Sequence, residues 1–288
     1  MDGDQLRALC AVVDTGTFDA AAATLHITPS AVSQRIKALE RQTGQVLVQR
    51  TRPCRATEAG QVLLSAARRF AEIESDVALA LDRISTAPLR VAVNADSLAT
   101  WFTPVLAGAA RWPDTELRLR VEDEQLTHRL LTSGEVIAAV TTATRTSPGC
   151  RSTRLGSIRY LPVASPSLWH GDPPSAEQLA ALPAVCFDEK DRITDDFLAG
   201  LGNPCPARRH FVPSPQAYLS AVEAGLGWGM VPTLMTDEPL RSGRILRLHP
   251  GHVDVTLHWQ CWALHTPRLE RLTELVLEAA RELDVPAR

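Results

Sequence analysis

The stretch from Gly16 to Gly60, GTFDAAAATLHITPSAVSQRIKALERQTGQVLVQRTRPCRATEAG, limits what this chain can fold into more than any other part of it. Ala20, Ala21, Ala22, Ala23 and Leu25 make a short, closely packing helix, and His26-Ile27-Thr28 is too brief to be anything but a turn between neighbouring helices. Thr28 stands where an N-cap belongs and Pro29 at the first helical position, so a second helix starts there. Its apolar residues Val32, Ile36 and Leu39 follow the helical period and face inward, which turns Ser30, Ser33, Gln34, Arg35 and Lys37 outward. A strand is expected over 46–49, and after it a loop interrupted by Pro53. The whole reads as a helix-turn-helix followed by a basic wing.

Charge separates an ordinary solvated helix face from a surface built for a polyanion. From Arg35 to Arg55 the basic residues are Arg35, Lys37, Arg41, Arg50, Arg52 and Arg55, against the single acid Glu40, in a chain of formal net charge -3. A basic stripe confined to one segment of a slightly acidic protein points to double-stranded DNA as partner at that segment. Thr28, Ser30, Ser33, Gln34, Arg35 and Lys37 are the candidates on the second helix, with Ser33, Gln34 and Arg35 reading bases. Arg50, Arg52 and Arg55 in the wing would bind phosphate.

The remaining sequence is ordinary globular material, 45% hydrophobic and 22% charged, and 288 residues suffice for this small module and a larger domain with its own core. The N-terminus MDGDQLRALCAVVDTG is acidic where a signal peptide would be basic, and no apolar run reaches membrane-spanning length. A cytoplasmic protein without a membrane partner is expected. Six cysteines lie scattered with no CxxC pair, and Cys186, in the apolar run PAVCF, reads as a buried thiol rather than a redox sensor. His249, His252, His258 and His265 have no metal-site spacing, so neither a metal nor a cofactor is expected.

Residues 61–85 contain neither proline nor glycine and are expected as one long helix. Leu63, Ala66, Phe70, Ile73, Val77, Ala80 and Ile84 recur at steps of three and four, a coiled-coil seam. Such a seam can pack back on its own domain, but its place between two modules favours a second copy of the chain, giving a homodimer that meets two half-sites. Arg68, Arg69, Glu72, Glu74 and Asp76 fall mostly off the seam and read as a solvated face.

Beyond Ala87-Pro88, strands expected over 89–93, 117–121 and 136–141 alternate with helices over 98–111 and 126–132, the rhythm of a parallel α/β sheet. A second unit runs through strands near 159–164 and 184–187, a helix over 217–224 and a strand over 229–231. The chain then returns through 255–264 and closes with a helix over 269–283. Two lobes joined by two crossing strands would leave a cleft between them, and ligands in such sheets sit beyond the carboxyl ends of strands. The loops there supply Asn94, Asp96 and Ser97, then Glu122 and Asp123, then Thr141 and Thr142, and in the second lobe Asp188. Several are acidic, which suits a cationic group on the ligand, although Asp96 also fits a helix N-cap and Glu122 to Glu124 a favourable first helical turn.

Residues 1–60 resemble the winged helix-turn-helix of LysR-type transcriptional regulators in four places: Gly16-Thr17-Phe18 with its alanine run, Thr28-Pro29-Ser30-Ala31-Val32-Ser33, Ile36-Lys37-Ala38-Leu39-Glu40, and Thr57-Glu58-Ala59-Gly60. The run from Glu223 to Pro232, EAGLGWGMVP, is similar to that family's glycine-rich helix-to-strand turn. The resemblance implies a winged helix-turn-helix over 1–60, a dimerising linker helix over 61–87 and a two-lobed, periplasmic-binding-protein-like effector domain over 88–288. Lobe I would hold 88–163 and 266–288, and lobe II 164–265. VNADSLATWF at Val93 to Phe102, Trp112-Pro113 and the FDEKD segment resemble the ArgP/LysG branch of the family. That branch implies L-lysine or L-arginine as effector and control of a basic-amino-acid exporter. It further implies a dimer or tetramer and admits RNA polymerase as a partner. The competing class, an enzyme with a DNA-binding add-on, lacks GxSxG, P-loop, HExxH and strand-borne GxGxxG motifs. A general DNA-compacting protein would bind all sequences with a steep salt dependence.

Overall fold

The computed structural model describes residues 2–81, 88–113, 115–122, 124–202 and 205–284. The N-terminal module is three helices and a wing: α1 (Gly3–Thr15), α2 (Phe18–Leu25), α3 (Pro29–Thr43), β1 (Val48–Gln49) and β2 (Arg55–Ala56). Thr17 and Thr28 cap α2 and α3, their hydroxyls accepting from Ala20 N and Ala31 N, and His26 ends α2 in the left-handed region at φ 54°. Val32, Ile36 and Leu39 are buried with Leu9, Val12, Ala21, Ala22, Leu47 and Val48 in one core. The wing is closed by pairing Val48 with Ala56 and Gln49 with Arg55, and Cys54 N donates to the Gly16 carbonyl at 2.7 Å. Gly60 has no room for a side chain, since a Cβ there would lie 2.0 Å from the Leu47 carbonyl oxygen.

α4 (Glu58–Ala80) is the expected linker helix, and Ile84 of its seam lies outside the described residues. The charged side of α4 is not a solvated face. Arg68, Glu72 and Asp76 point into the effector domain, and their side chains keep 9% or less of their exposure. Arg68 holds Asp14 of α1 and the Ser133 carbonyl, while Arg268 pairs with Glu72 at 2.7 Å and Asp76 at 2.6 Å. Two elements of the effector domain cover this side, so its charges survive there only as pairs. Glu74 does remain exposed, tied to Arg7.

The first lobe follows with β3 (Leu89–Val93), α5 (Ala95–Ala99), α6 (Thr103–Ala109), β4 (Leu117–Val121), α7 (Glu124–Ser133) and β5 (Ala138–Thr141). The helix expected over 98–111 is two short helices. Trp101 and Phe102, buried and edge-to-face with ring centroids 5.6 Å apart, occupy the break, and Pro104 near the start of α6 cannot donate to a continued ladder. β3 pairs in parallel with β4 and β5. A long strand, β6 (Cys150–Ala164), then leads to α8 (Ala176–Ala181), β7 (Pro183–Cys186), α9 (Ile193–Gly200), β8 (Arg208–Phe211), α10 (Pro215–Glu223), β9 (Gly229–Pro232), α11 (Thr233–Arg241) and β10 (Leu246–Arg247). The chain returns in β11 (Val253–Trp262) and ends in α12 (Pro267–Ala279) with a 3-10 turn over Ala280–Asp284.

β6 and β11 are antiparallel partners along their whole shared length and belong to both lobes. The far end of β11, His258–Cys261, pairs with β5, and the far end of β6, Tyr160–Val163, pairs with β9. The lobe boundaries expected at 163/164 and 265/266 therefore fall near strand ends, while the crossing lies in mid-strand. Lobe II completes its sheet with the parallel pair β7–β8, joined to Trp228 through Ala184.

Candidate DNA-binding face and effector cleft

α3 presents Ser30, Gln34 and Lys37 to solvent, with Ser33 and Arg35 half-buried and Thr28 exposed at its cap. Arg52 and Arg55 project freely from the wing, and Arg50 lies over the Phe18 ring, 5.1 Å from its centroid. Arg35 is not an open hand: its Nη2 donates to Asp4 Oδ2 at 2.7 Å, and Asp4 also holds Arg7, which reaches Glu74 of α4 at 3.2 Å. Asp4, which nothing in the local pattern singles out, is thus a direct neighbour of the base-reading candidate. The Arg7 and Arg35 guanidinium groups hold its carboxyl below the usual range, so it stays charged.

Between the lobes lies a cavity of about 760 Å³. Of the residues expected there, Asn94, Asp96, Glu122, Thr142 and Asp188 line it. Ser97 and Thr141 do not; both are buried behind the wall, and Thr141 Oγ1 accepts from Ala143 N at 3.1 Å. Asp123 lies outside the described residues. The cavity also takes in charged and polar groups absent from the expected set, among them Tyr160 from β6, Asp191, Asp196, Lys190 and Arg192 around the start of α9, and Asp254 from β11, the carboxylates outnumbering the two cations. Asp191 stood within the acidic run after β7, whereas a tyrosine or aspartate on a crossing strand carries no local signal.

These carboxylates are not equivalent. Asp188 caps its own loop by accepting from Lys190 N and Asp191 N at 2.8 and 3.0 Å, and Asp191 accepts from Phe187 N and Ile193 N, both at 3.0 Å. Asp254 is held by a bidentate pair from Arg159 at 2.8 and 2.9 Å, which lowers its pKa. Glu122 meets Arg120 at 3.3 Å. Asp96, in the first turn of α5, has among the described residues only the Tyr160 hydroxyl as a side-chain partner, which donates to Oδ2 at 2.5 Å. Burial raises the Asp96 pKa, the tyrosine hydrogen bond opposes this and Asp191 adds to it. Asn94, two residues earlier, keeps a buried Oδ1 without a partner among the described residues, although Asn94 occupies the N-cap position. The cavity therefore offers an under-compensated negative charge at its first-lobe wall and turn-bound carboxylates opposite, an arrangement fitted to a cation.

A winged helix-turn-helix joined by a linker helix to a two-lobed α/β domain with a ligand-sized cleft defines a ligand-responsive DNA-binding regulator. Residues 4–61 match the family model for the bacterial regulatory helix-turn-helix protein of the lysR family, and residues 85–283 that for the LysR substrate binding domain. The chain belongs to the LysR family of transcriptional regulators. It is 44% identical over 290 residues to the HTH-type transcriptional regulator LysG of Mycobacterium tuberculosis, covering 98% of this chain and 95% of that one. To the lysine export transcriptional regulatory protein LysG of Corynebacterium glutamicum it is 41% identical over 286 residues, with 98% and 99% covered. The crystal structure of ArgP from Mycobacterium tuberculosis superposes with a TM-score of 0.87 over all of both chains at 44% identity. Full-length LysG from Corynebacterium glutamicum with bound effector Arg gives 0.82 at 40% identity, covering 99% of this chain and 100% of that one. No helix among the described residues is long and apolar enough to cross a membrane.

Proposed function

We propose that this regulator senses L-arginine or L-lysine in the interlobe cleft, works as a cytoplasmic homodimer on DNA and controls a gene for exporting basic amino acids. The observation that carries the reading is Asp96, a half-buried carboxylate facing a cavity of about 760 Å³ with, among the described residues, a single side-chain hydrogen bond to compensate it. A guanidinium or ammonium group supplies the missing partner as a charge-assisted hydrogen bond. Asn94, Glu122, Thr142, Asp188 and Asp191 form the rest of the proposed contact set. Support comes also from relatives: one bears the function of lysine export regulation in its name, and another holds arginine as effector.

The reading contains no catalytic step; the ligand is bound, changes the balance between lobe arrangements and leaves unaltered. Calorimetry with L-arginine, L-lysine, L-glutamate and L-phenylalanine tests it, with saturable binding expected for the two basic amino acids alone. Footprinting upstream of the protein's own gene, with and without each amino acid, is expected to show an effector-dependent change in the protected region. Binding of an acidic or aromatic metabolite in place of both basic ones would refute the effector assignment.

A further inference from the structure

A second cavity, about 630 Å³, lies where the N-terminal module, the linker helix and the first lobe meet. It is the electrostatic opposite of the effector cleft. The parallel register of β3 and β4 sets Arg90 beside Arg118 and Ala92 beside Arg120. Alternation along the strands then places all three guanidinium groups on one face, that on which Ala92 packs with Leu130 and Leu131 of α7. Arg68 enters from α4 on the opposite side, its side chain 5% exposed, with Asp14 and Glu135 as the lining carboxylates.

The charges do not balance. Asp14 is taken by Arg68, Glu135 by Arg120 at 2.8 Å, and Arg118 is held by Glu116 at 2.6 Å. The Arg90 side chain has no hydrogen bond or ion pair among the described residues, Glu72 attracting it only at longer range, and its Nε is buried without an acceptor, as is that of Arg68. A buried guanidinium edge with no acceptor is costly, and the cheapest relief is an anion entering from solvent. Arginine forks favour planar or tetrahedral oxyanions, which they grip with paired N–H donors.

We infer that this crevice is a second ligand site, taking a compact oxyanion of the phosphate type, gripped by Arg90 with Arg118 and Arg68 around it. Val13 and Asp14 of α1 line the same cavity, so the anion bridges the DNA-binding module and the first lobe. An anion bound only when the two are docked stabilises that docking by mass action. The site does not depend on the identity of the effector in the cleft, and a basic amino acid is repelled from it.

The test uses full-length protein without DNA, titrated with inorganic phosphate and pyrophosphate at constant ionic strength balanced with sodium chloride, followed by calorimetry and thermal unfolding. Saturable binding and a rise in unfolding temperature beyond that given by chloride are expected. Arg90→Met should weaken this binding at least tenfold while leaving arginine binding in the cleft unchanged. The wing arginines are intact in that variant, so any phosphate they attract remains and is distinguished from the crevice. Should Arg90→Met fail to fold, Arg118→Gln, at a side chain 60% exposed, serves in its place with a several-fold loss expected. Equal effects of phosphate and chloride, or undiminished phosphate binding in the folded variant, overturn the proposal.

Discussion

Arg35 sits where two demands meet. It is the proposed base-reading residue of α3, yet one edge of its guanidinium is held by Asp4 at 2.7 Å. A residue so held is aimed, and it pays less entropy on meeting a base than a free arginine does. Arg35→Ala is expected to cost operator binding about 1–3 kcal/mol and to flatten the ranking of operator variants. Asp4→Asn should act differently: a released Arg35 can take a phosphate instead, so binding to unrelated DNA strengthens and the salt slope steepens by about one. Fluorescence titrations at several salt concentrations, on operator and scrambled duplexes, separate the two; an unchanged slope in Asp4→Asn would remove its aiming role. Asp96 carries the corresponding choice in the cleft. Its folded-state pKa is raised, so its stability contribution is complete below the ordinary value of 3.8 and is lost as pH rises through the folded value. A bound cation favours the ionised form. Arginine binding is therefore expected to release protons and to weaken on acidification at a pH above the usual aspartate range. Asp96→Asn should abolish both effects and cost about 2–4 kcal/mol of affinity, seen by calorimetry in buffers of different ionisation enthalpy.

α4 is an element with two partners. One flank is the apolar seam, where Phe70, Ile73 and Val77 are 44%, 43% and 54% exposed within a single chain. A Phe70→Asp, Ile73→Asp double variant would put charge into the interface between two copies, and sedimentation should show it as monomer; an intact dimer would move the interface elsewhere. The other flank is the ion cluster with Arg268. Arg268→Met strands Glu72 and Asp76 in a dry seam and is expected to cost about 3–5 kcal/mol in chemical unfolding. Burial already raises the Glu72 pKa against the pull of Arg268. Without the arginine the penalty should grow as pH rises above the usual glutamate range, because the raised group favours the fold only while protonated. The seam was legible in the sequence because periodicity is a local property. The ion cluster was not, since its partner lies nearly two hundred residues away and a charged helix face looks the same whether water or another domain covers it. The caps of α2 and α3 and the strands β3 and β4 were legible for the same local reason. The polar first half of β6 was not, because it gains its pairing from β11 alone. In the cleft, the loops after strands pointed to Asn94, Asp96, Glu122 and Asp188, but Tyr160 and Asp254 reach it only through the crossing of the two long strands.

For the whole molecule, the question is how a cation between the lobes is felt by helices at the other end. The lobes are joined by β6 and β11, and the pairing between these strands slips between Leu257 and His258, opposite Gly156. A bulge in the middle of a two-strand bridge is where the bridge bends most easily. Gly156 adopts φ 136°, a backbone conformation that residues with a Cβ rarely take. The proposed ligand contacts lie on both sides of this point, Asp96 and Glu122 on one lobe and Asp188 and Asp191 on the other, so closing on a cation would rotate one lobe about it. The first lobe is bound to α4 through Arg268 and Arg68, and Arg68 also holds Asp14 of α1, so movement there is passed to the N-terminal module. Gly156→Ala should strain the crossing by about 1 kcal/mol or more in the arrangement seen here. It is expected to lower the unfolding temperature modestly and to change the fraction of molecules with closed lobes. Arginine affinity should shift with it, although no ligand contact is touched, because only the closed fraction binds with full strength. Small-angle scattering with and without saturating arginine, paired with calorimetry well below the unfolding temperature, provides the test. A variant that is less stable yet compacts and binds like the parent would place the hinge elsewhere than at the Gly156 crossing.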